Sequence, residues 1–404
     1  MINFQQISLK TFLSEYWQKK PLVIRNAIPD FTNPLSADEL AGLALEEDVE
    51  SRLVFETPHE KPYWHLKRGP FSENDFKLLP PTHWTVLVQG VDRLIPEVYD
   101  LLDHFDFIPQ WRIDDIMISY AALHGSVGPH YDNYDVFLYQ AQGRREWSLT
   151  TKKCNNENYI KELELRIMEQ FDVEERLTLE EGDMLYLPPH VGHYGISLSE
   201  NCMTYSFGYR SYQGQELLDS LGDYLAEKGT FKTLYQDPDW SHLHNTSEIT
   251  RPAWQAAQKL LQQLISDDKI MKSWFGCFAT RLDQGAEMQL PLPLEENELI
   301  DLSHFIEEIK TGSDLNRDAT CRFAYQNSEA QFEYQFYVNG CEWDTTGVSH
   351  DLLSYIANNR HLPHQSLAAY LNTTQNQIFI YNLWKLQWLY IAENQGLFPN
   401  PKTY

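Results

Sequence analysis

The sequence predicts an α+β chain: a β-rich barrel preceded by helices over residues 1–210, a helical segment over 211–276 and a small mixed domain over 277–404. Three observations carry this prediction. Up to Arg210 the apolar runs are short, rich in β-branched and aromatic residues, and separated by turn residues. Near residue 211 the spacing changes, and residues 216–225 and the stretch after Pro252 repeat apolar side chains every three or four positions. After about Cys277, strand-like and helix-like runs alternate around one strong hairpin signal, Asn339-Gly340.

The first element is a helix that Ser36-Ala37-Asp38-Glu39 can cap, with Ser and Glu three residues apart. Next comes the segment Gly128-Pro129-His130-Tyr131-Asp132. On an extended strand, side chains i and i+2 point to one face, so His130 and Asp132 can grip one metal ion. A later strand can return His193, which closes Leu187-Pro188-Pro189-His190-Val191-Gly192-His193, opposite them. Two imidazoles and one carboxylate on one face leave other coordination positions open, which is the ligand set of non-haem Fe(II) oxygenases.

Between these halves, residues 135–140 read as a strand, Gly143 as a turn and residues 144–149 as a second strand. Alternation puts Arg145, Trp147 and Leu149 on one face and Arg144, Glu146 and Ser148 on the other. The first face is the apolar one, so Arg145 should point inward beside the metal. A buried guanidinium cannot shed its charge and wants an acid. Asp183 or Asp135 could supply it, or a bound dicarboxylate could, 2-oxoglutarate fitting with its far carboxylate on the arginine and its oxo-acid end on the metal. Glu181-Gly182-Asp183 reads as a tight turn, 184–187 as a short buried strand and Pro188-Pro189 as a rigid stop. In 203–209 large and small residues alternate, and the small face, Thr204, Ser206 and Gly208, could line a cavity for the cosubstrate.

In the helical segment, Pro252 sits in a first turn and Trp254, Ala257, Leu260, Leu261 and Leu264 form a broad stripe. Such helices must bury their apolar faces, either on their own barrel or against a second subunit. Beyond them, 297–309 reads as a helix, 321–325 and 331–338 as strands, and 350–358, 366–372 and 376–389 as helices. Without a basic recognition helix, this domain reads as a protein-interaction module rather than a DNA reader.

The 404 residues include 58 acidic and 32 basic side chains, a formal net charge of −26. That balance disfavours direct nucleic-acid binding and leaves two readings open, solubility alone or a basic protein partner. The five cysteines are widely spaced with no Cys-x-x-Cys, against both a disulfide framework and structural zinc. No signal segment or membrane span is visible, since residues 378–391 are interrupted by Asn382, Lys385 and Gln387. A reducing cytoplasm, which also keeps iron ferrous, is the expected compartment.

Several of these pieces together resemble the JmjC-type ribosomal oxygenases, and more closely the bacterial ribosomal-protein arginine hydroxylases among them. They are the Gly-Pro-His-x-Asp segment, Tyr134-Asp135-Val136-Phe137, Gly143-Arg144-Arg145, Gly182-Asp183 before Pro188-Pro189, His193, and Ser206-Phe207-Gly208-Tyr209-Arg210, with Tyr16 to Ala27 as the entry. The likeness is strongest in the first half; beyond it rests on domain order, Trp274-Phe275-Gly276 and the helical pattern. It implies a double-stranded β-helix (cupin-like) catalytic domain, a helical dimerisation segment and a C-terminal winged-helix-like domain. It also implies Fe(II) held by His130, Asp132 and His193, 2-oxoglutarate gripped by Arg145, and O2 as co-reactant. The implied reaction hydroxylates the β-carbon of an arginine in a basic protein of the large ribosomal subunit. One departure is His190, where the family more usually has a small residue: it could compete for the metal or face solvent.

Two other readings stay open on residues alone. A Zn or Mn cupin enzyme could use the same ligands, though Arg145 would then have no dicarboxylate to hold. A non-catalytic cupin-like scaffold could use the helical parts to assemble complexes. Succinate release on adding Fe(II) and 2-oxoglutarate separates both from a dioxygenase. Asp114 and Asp115, just before the strand run that leads to His130, are candidates for steering a guanidinium substrate or are ordinary turn and edge residues.

Overall fold

The computed structural model describes residues 1–5, 7–57, 63–161, 163–327 and 334–392. It divides into two compact units: Met1–Ser211 with Asp283–Leu290, and Tyr212–Leu282 with the described residues from Pro291 onward. In the first unit, helix α1 (Ala37–Leu43) is closed by the capping box that Ser36 and Glu39 predict. Its strands are β1 (Leu22–Ile24), β2 (Ser51–Glu56), β3 (Trp64–Arg68), β4 (Trp84–Val88), β5 (Ile113–Ala121) and β6 (His130–Tyr131). They continue as β7 (Val136–Gln142), β8 (Arg145–Thr150), β9 (Glu175–Leu179), β10 (Met184–Leu187), β11 (Gly192–Ser197) and β12 (Cys202–Tyr209).

These strands form two sheets, not a closed barrel. An eight-stranded sheet runs β1-β10-β7-β12-β5-β4-β2-β3, and a four-stranded sheet runs β6-β11-β8-β9. From β5 onward the chain passes repeatedly between them, so the sequence neighbours β7 and β8 lie in different sheets. Gly143 makes that crossing: its φ is +71°, and a Cβ there would strike the Asn201 carbonyl oxygen. Between the sheets, Val136, Leu138, Leu185 and Leu187 of the larger pack against Trp147, Leu149 and Leu179 of the smaller. Arg145, Trp147 and Leu149 are all buried, as alternation predicts. Ser148, expected on the open face, is buried as well, flanked by Tyr194 and Arg176 on the neighbouring strands.

The second unit contains α2 (Gly214–Lys228), α3 (Arg251–Ile265), α4 (Asp268–Thr280), α5 (Leu302–Thr311), α6 (His350–Asn358) and α7 (Thr374–Lys385). Two three-stranded sheets accompany the later helices. One joins β13 (Leu315–Arg317), the two-residue strand His361–Leu362 and Leu389–Ile391; the other is a meander of Phe323–Asn327, Tyr334–Val338 and Cys341–Trp343. Asn339 and Gly340 turn the last hairpin with φ of 49° and 82°. Of the strand expected over 331–338, residues 331–333 lie outside the described residues.

Helix boundaries moved where tertiary contacts decided them. The helix expected over 297–309 starts at Leu302, because the Asp301 side chain caps it by accepting from the His304 amide. The one expected over 376–389 stops at Lys385, because Leu389 pairs with Arg317 in a sheet. In place of 366–372 there is a short helix, His364–Leu367, and a 3-10 turn, Ala368–Tyr370. Helix α4 runs on to Thr280, past the end of the helical segment expected at residue 276; its Trp274 and Phe278 pack on Leu221 of α2. On α3, Leu264 is buried, but Trp254 and Leu261 keep 50% and 55% of their surface exposed.

Candidate metal centre

Antiparallel pairing of β6 with β11 sets His193 directly opposite His130, with ring centroids 4.2 Å apart. Asp132, just past the end of β6, places Oδ2 3.6 Å from His193 Nε2. One ligand atom from each of the three lies within 4.8 Å of the others, a spacing that one divalent cation with bonds of about 2 Å can bridge. Among the described residues this is the only such cluster.

Both rings are held by backbone carbonyls. His130 donates from Nδ1 to Gly128 O at 2.9 Å, and His193 from Nδ1 to Val191 O at 3.1 Å, which leaves each Nε2 lone pair for a metal. Burial, and then the neighbouring His130, pushes His193 down to about 4, so its imidazole is neutral at ordinary pH, the form that ligates metals. His190 stays out of the cluster. It is exposed, with φ of +63°, and its amide donates to the Asp132 carbonyl at 2.8 Å, steadying the loop that carries the carboxylate.

The cluster opens into a cavity of about 650 Å³. Thr204, Ser206 and Gly208 of β12 line it from the larger sheet, and Arg145 and Trp147 of β8 from the smaller. Thr204 donates to Gln140 Oε1 at 3.3 Å. Arg145 is 3% exposed, and its Nε and Nη2 have no hydrogen-bond partner among the described residues. The two acids that could have neutralised it are engaged elsewhere. Asp183 binds Arg25 at 2.5 Å; Asp135 accepts from Tyr186 Oη at 2.6 Å and lies 3.6 Å from Arg112. Nε and Nη2 form one edge of the guanidinium fork, the edge that a carboxylate grips with both oxygens. A triad of iron-type ligands and a buried cation facing one cavity therefore fit a dicarboxylate that chelates at one end.

Trp147 adjoins both Arg145 and the metal ligand His193. Its ring centroid is 5.7 Å from that of His193, and Arg145 Cζ is 5.7 Å from the indole centroid. The ring covers Gly195, its cross-strand partner, where a Cβ would come within 2.6 Å of Cζ3. Alternation already put Trp147 on the face of Arg145, but only the register shows that a glycine makes room for it.

Asp114 and Asp115 reach the same cavity from β5. Asp115 is 5% exposed, and its Oδ2 accepts from Gln89 Nε2 and from the Gly90 amide, both at 2.7 Å. Its Oδ1 is 3.7 Å from the position a Cβ on Gly208 would take, an ordinary contact distance, so the carboxylate packs beside that glycine. Burial, then Asp92 and Asp114, pushes the Asp115 carboxyl up to about 7. Asp114 is more exposed and pairs with Arg210 Nε at 3.0 Å. The two thus differ in kind, a distinction that the Asp-Asp pair alone did not show. Gln89 and Gly90, which orient Asp115, follow directly on β4, the strand paired with β5, and carry no local signal.

Among the described residues no helix is long and apolar enough to cross a membrane. A JmjC domain family model matches residues 100–217, and a ROXA-like winged helix model matches residues 263–390. The chain is 36% identical over 282 residues to the ribosomal protein uL16 3-hydroxylase of Escherichia coli, covering 70% of this chain and 74% of that one. It is 32% identical over 391 residues to a protein named "Probable ribosomal oxygenase" from Haemophilus influenzae, covering 92% and 91%. Its fold matches the Escherichia coli ribosomal oxygenase YcfD solved with cobalt and 2-oxoglutarate, with a TM-score of 0.81 and 29% identity over 97% of this chain and all of that one. The same protein solved with cobalt and succinic acid matches equally, at 0.81.

Proposed function

The chain belongs to the JmjC ribosomal oxygenases, and from that premise we propose that it is a 2-oxoglutarate- and Fe(II)-dependent hydroxylase of a large-subunit ribosomal protein of the uL16 type. The observation that carries this reading is the buried edge of Arg145, without a partner among the described residues, in the cavity that holds the His130, Asp132 and His193 cluster. Fe(II) with 2-oxoglutarate and O2 supplies, when bound, an oxidation that ends as succinate, CO2 and one oxygen atom in a C–H bond. The protein's part is positioning. His130, Asp132 and His193 hold the metal; Arg145 holds the far carboxylate, with Thr204 and Ser206 as the polar wall; the apolar contact between the sheets limits water. Release of succinate in step with gain of one oxygen atom on uL16 tests the reading. Succinate formation that never accompanies protein oxidation would overturn it.

Within this reading the target side chain is arginine, hydroxylated at its β-carbon, and Asp115 receives the guanidinium while Asp114 adds to the field at the entrance. The Asp114→Asn/Asp115→Asn variant is expected to raise the apparent KM for a basic peptide and weaken its salt dependence, with peptide-independent 2-oxoglutarate turnover near normal. A carboxyl held up to about 7 gains charge as pH rises through that value, so affinity for a cationic peptide should climb over the same range. Asp115→Asn should flatten that climb. Peptide kinetics unchanged across a salt and pH series would remove both residues from the substrate site.

A ribosomal substrate and a ferrous metal support a cytoplasmic site of action, and a net charge of −26 favours a basic protein over nucleic acid as the direct partner. The face of α3 that carries Trp254, Leu261 and Ile265, which are 50%, 55% and 55% exposed, serves as a self-association surface that makes a homodimer. Trp254→Glu/Leu261→Glu is expected to shift the protein from dimer to monomer in sedimentation velocity. A wild-type monomer at micromolar concentration would sink the idea.

A further inference from the structure

Trp147 is 5% exposed and lines the metal cavity, yet its indole Nε1 has no hydrogen-bond partner among the described residues. A buried N–H donor left unmade is costly, and native proteins seldom keep one without use. The orientation of the ring is set from behind. The benzo edge, through Cε3, Cζ3 and Cη2, occupies the space over Gly195, and Nε1 lies on the opposite side of the indole. Along β8, Trp147 stands two residues from Arg145, and both side chains are on the buried face. Its indole centroid is 5.7 Å from Arg145 Cζ and 5.7 Å from the His193 ring centroid, so the ring adjoins both the guanidinium and a metal ligand. A dicarboxylate that reaches from the metal cluster to the Arg145 fork shares its cavity with this indole.

Resting on the dioxygenase reading above, we propose that the Trp147 Nε1–H is a second donor to the far carboxylate of 2-oxoglutarate, completing with Arg145 Nε and Nη2 a cradle of three N–H groups. Arg145 supplies the charge. Trp147 is a positioning residue that fixes the plane of the carboxylate and so favours a five-carbon dicarboxylate over oxo acids that lack the second carboxylate.

The test is Trp147→Phe, which keeps an aromatic ring at the position but removes the donor. Binding is measured anaerobically on the Mn(II)-loaded full chain by calorimetry, with 2-oxoglutarate and, separately, with 2-oxobutyrate, which has no far carboxylate. One charge-assisted hydrogen bond lost should weaken 2-oxoglutarate binding about tenfold. Mn(II) affinity and 2-oxobutyrate binding should be unchanged, with cooperative thermal unfolding retained. Undiminished 2-oxoglutarate affinity overturns the proposal, and so does an equal loss for both oxo acids, which would put the donor at the chelating end. Failure of the wild-type protein to bind 2-oxoglutarate at all would instead overturn the dioxygenase reading on which it rests.

Discussion

Alanine at His130 or at His193 is expected to abolish succinate release and to lower bound iron to background, with cooperative thermal unfolding retained. Each substitution removes one of three ligands, and neither side chain belongs to the apolar contact between the sheets, which is made by Val136, Leu138, Trp147, Leu149, Leu185 and Leu187. His190→Ala is the internal control. That imidazole is exposed and only its main-chain amide supports Asp132, so iron content and turnover should stay near those of the wild type. Metal content measured by atomic absorption, beside succinate release, decides between them: iron lost on His190→Ala and kept on His193→Ala would refute the ligand assignment. The Asp132 carbonyl bond at 2.8 Å adds a finer expectation, that a change of backbone at position 190, such as to proline, should disturb the site where alanine does not.

What was legible in the sequence follows from how local each signal is. His130 and Asp132 are two residues apart, and Arg145 and Trp147 follow simple alternation, so β geometry alone assigns their faces. Gly143, Asn339 and Gly340 adopt left-handed backbone that their residue types announce. The opposition of His130 and His193 is different in kind. It depends on register between strands more than sixty residues apart, which no local pattern encodes, and only the ligand chemistry suggested it. The exchange of strands between two open sheets was invisible for the same reason, since a strand, a turn at Gly143 and a second strand do not say which sheet each strand joins. So were the burial of Asp115 under Gln89 and Gly90 and the fit of the Trp147 ring on Gly195, each a meeting of residues from separate strands. Helix ends were displaced by competing partners: Leu389 left a helical pattern to pair with Arg317.

Arg145→Lys is expected to lower the affinity for 2-oxoglutarate by about tenfold or more while iron binding stays intact. Lysine keeps the positive charge but presents a single ammonium in place of the Nε and Nη2 edge, so a carboxylate loses one of two parallel hydrogen bonds and its fixed orientation. The environment sharpens the effect. The guanidinium is 3% exposed and Asp183 and Asp135 are held by Arg25 and Arg112, so neither is placed to compensate for a shorter cation. A buried ammonium, unlike a guanidinium, can also lose its proton, so the variant's affinity should fall further as pH rises, a dependence the wild type should not share at this residue. Arg144→Lys provides the comparison, because Arg144 faces outward with 54% of its side chain exposed and Glu180 3.9 Å away. Its substitution should leave 2-oxoglutarate binding unchanged. Calorimetric titrations of both variants in the presence of Mn(II) measure the difference directly, and equal losses at the two positions would mean that the inward face of β8 is not what holds the cosubstrate.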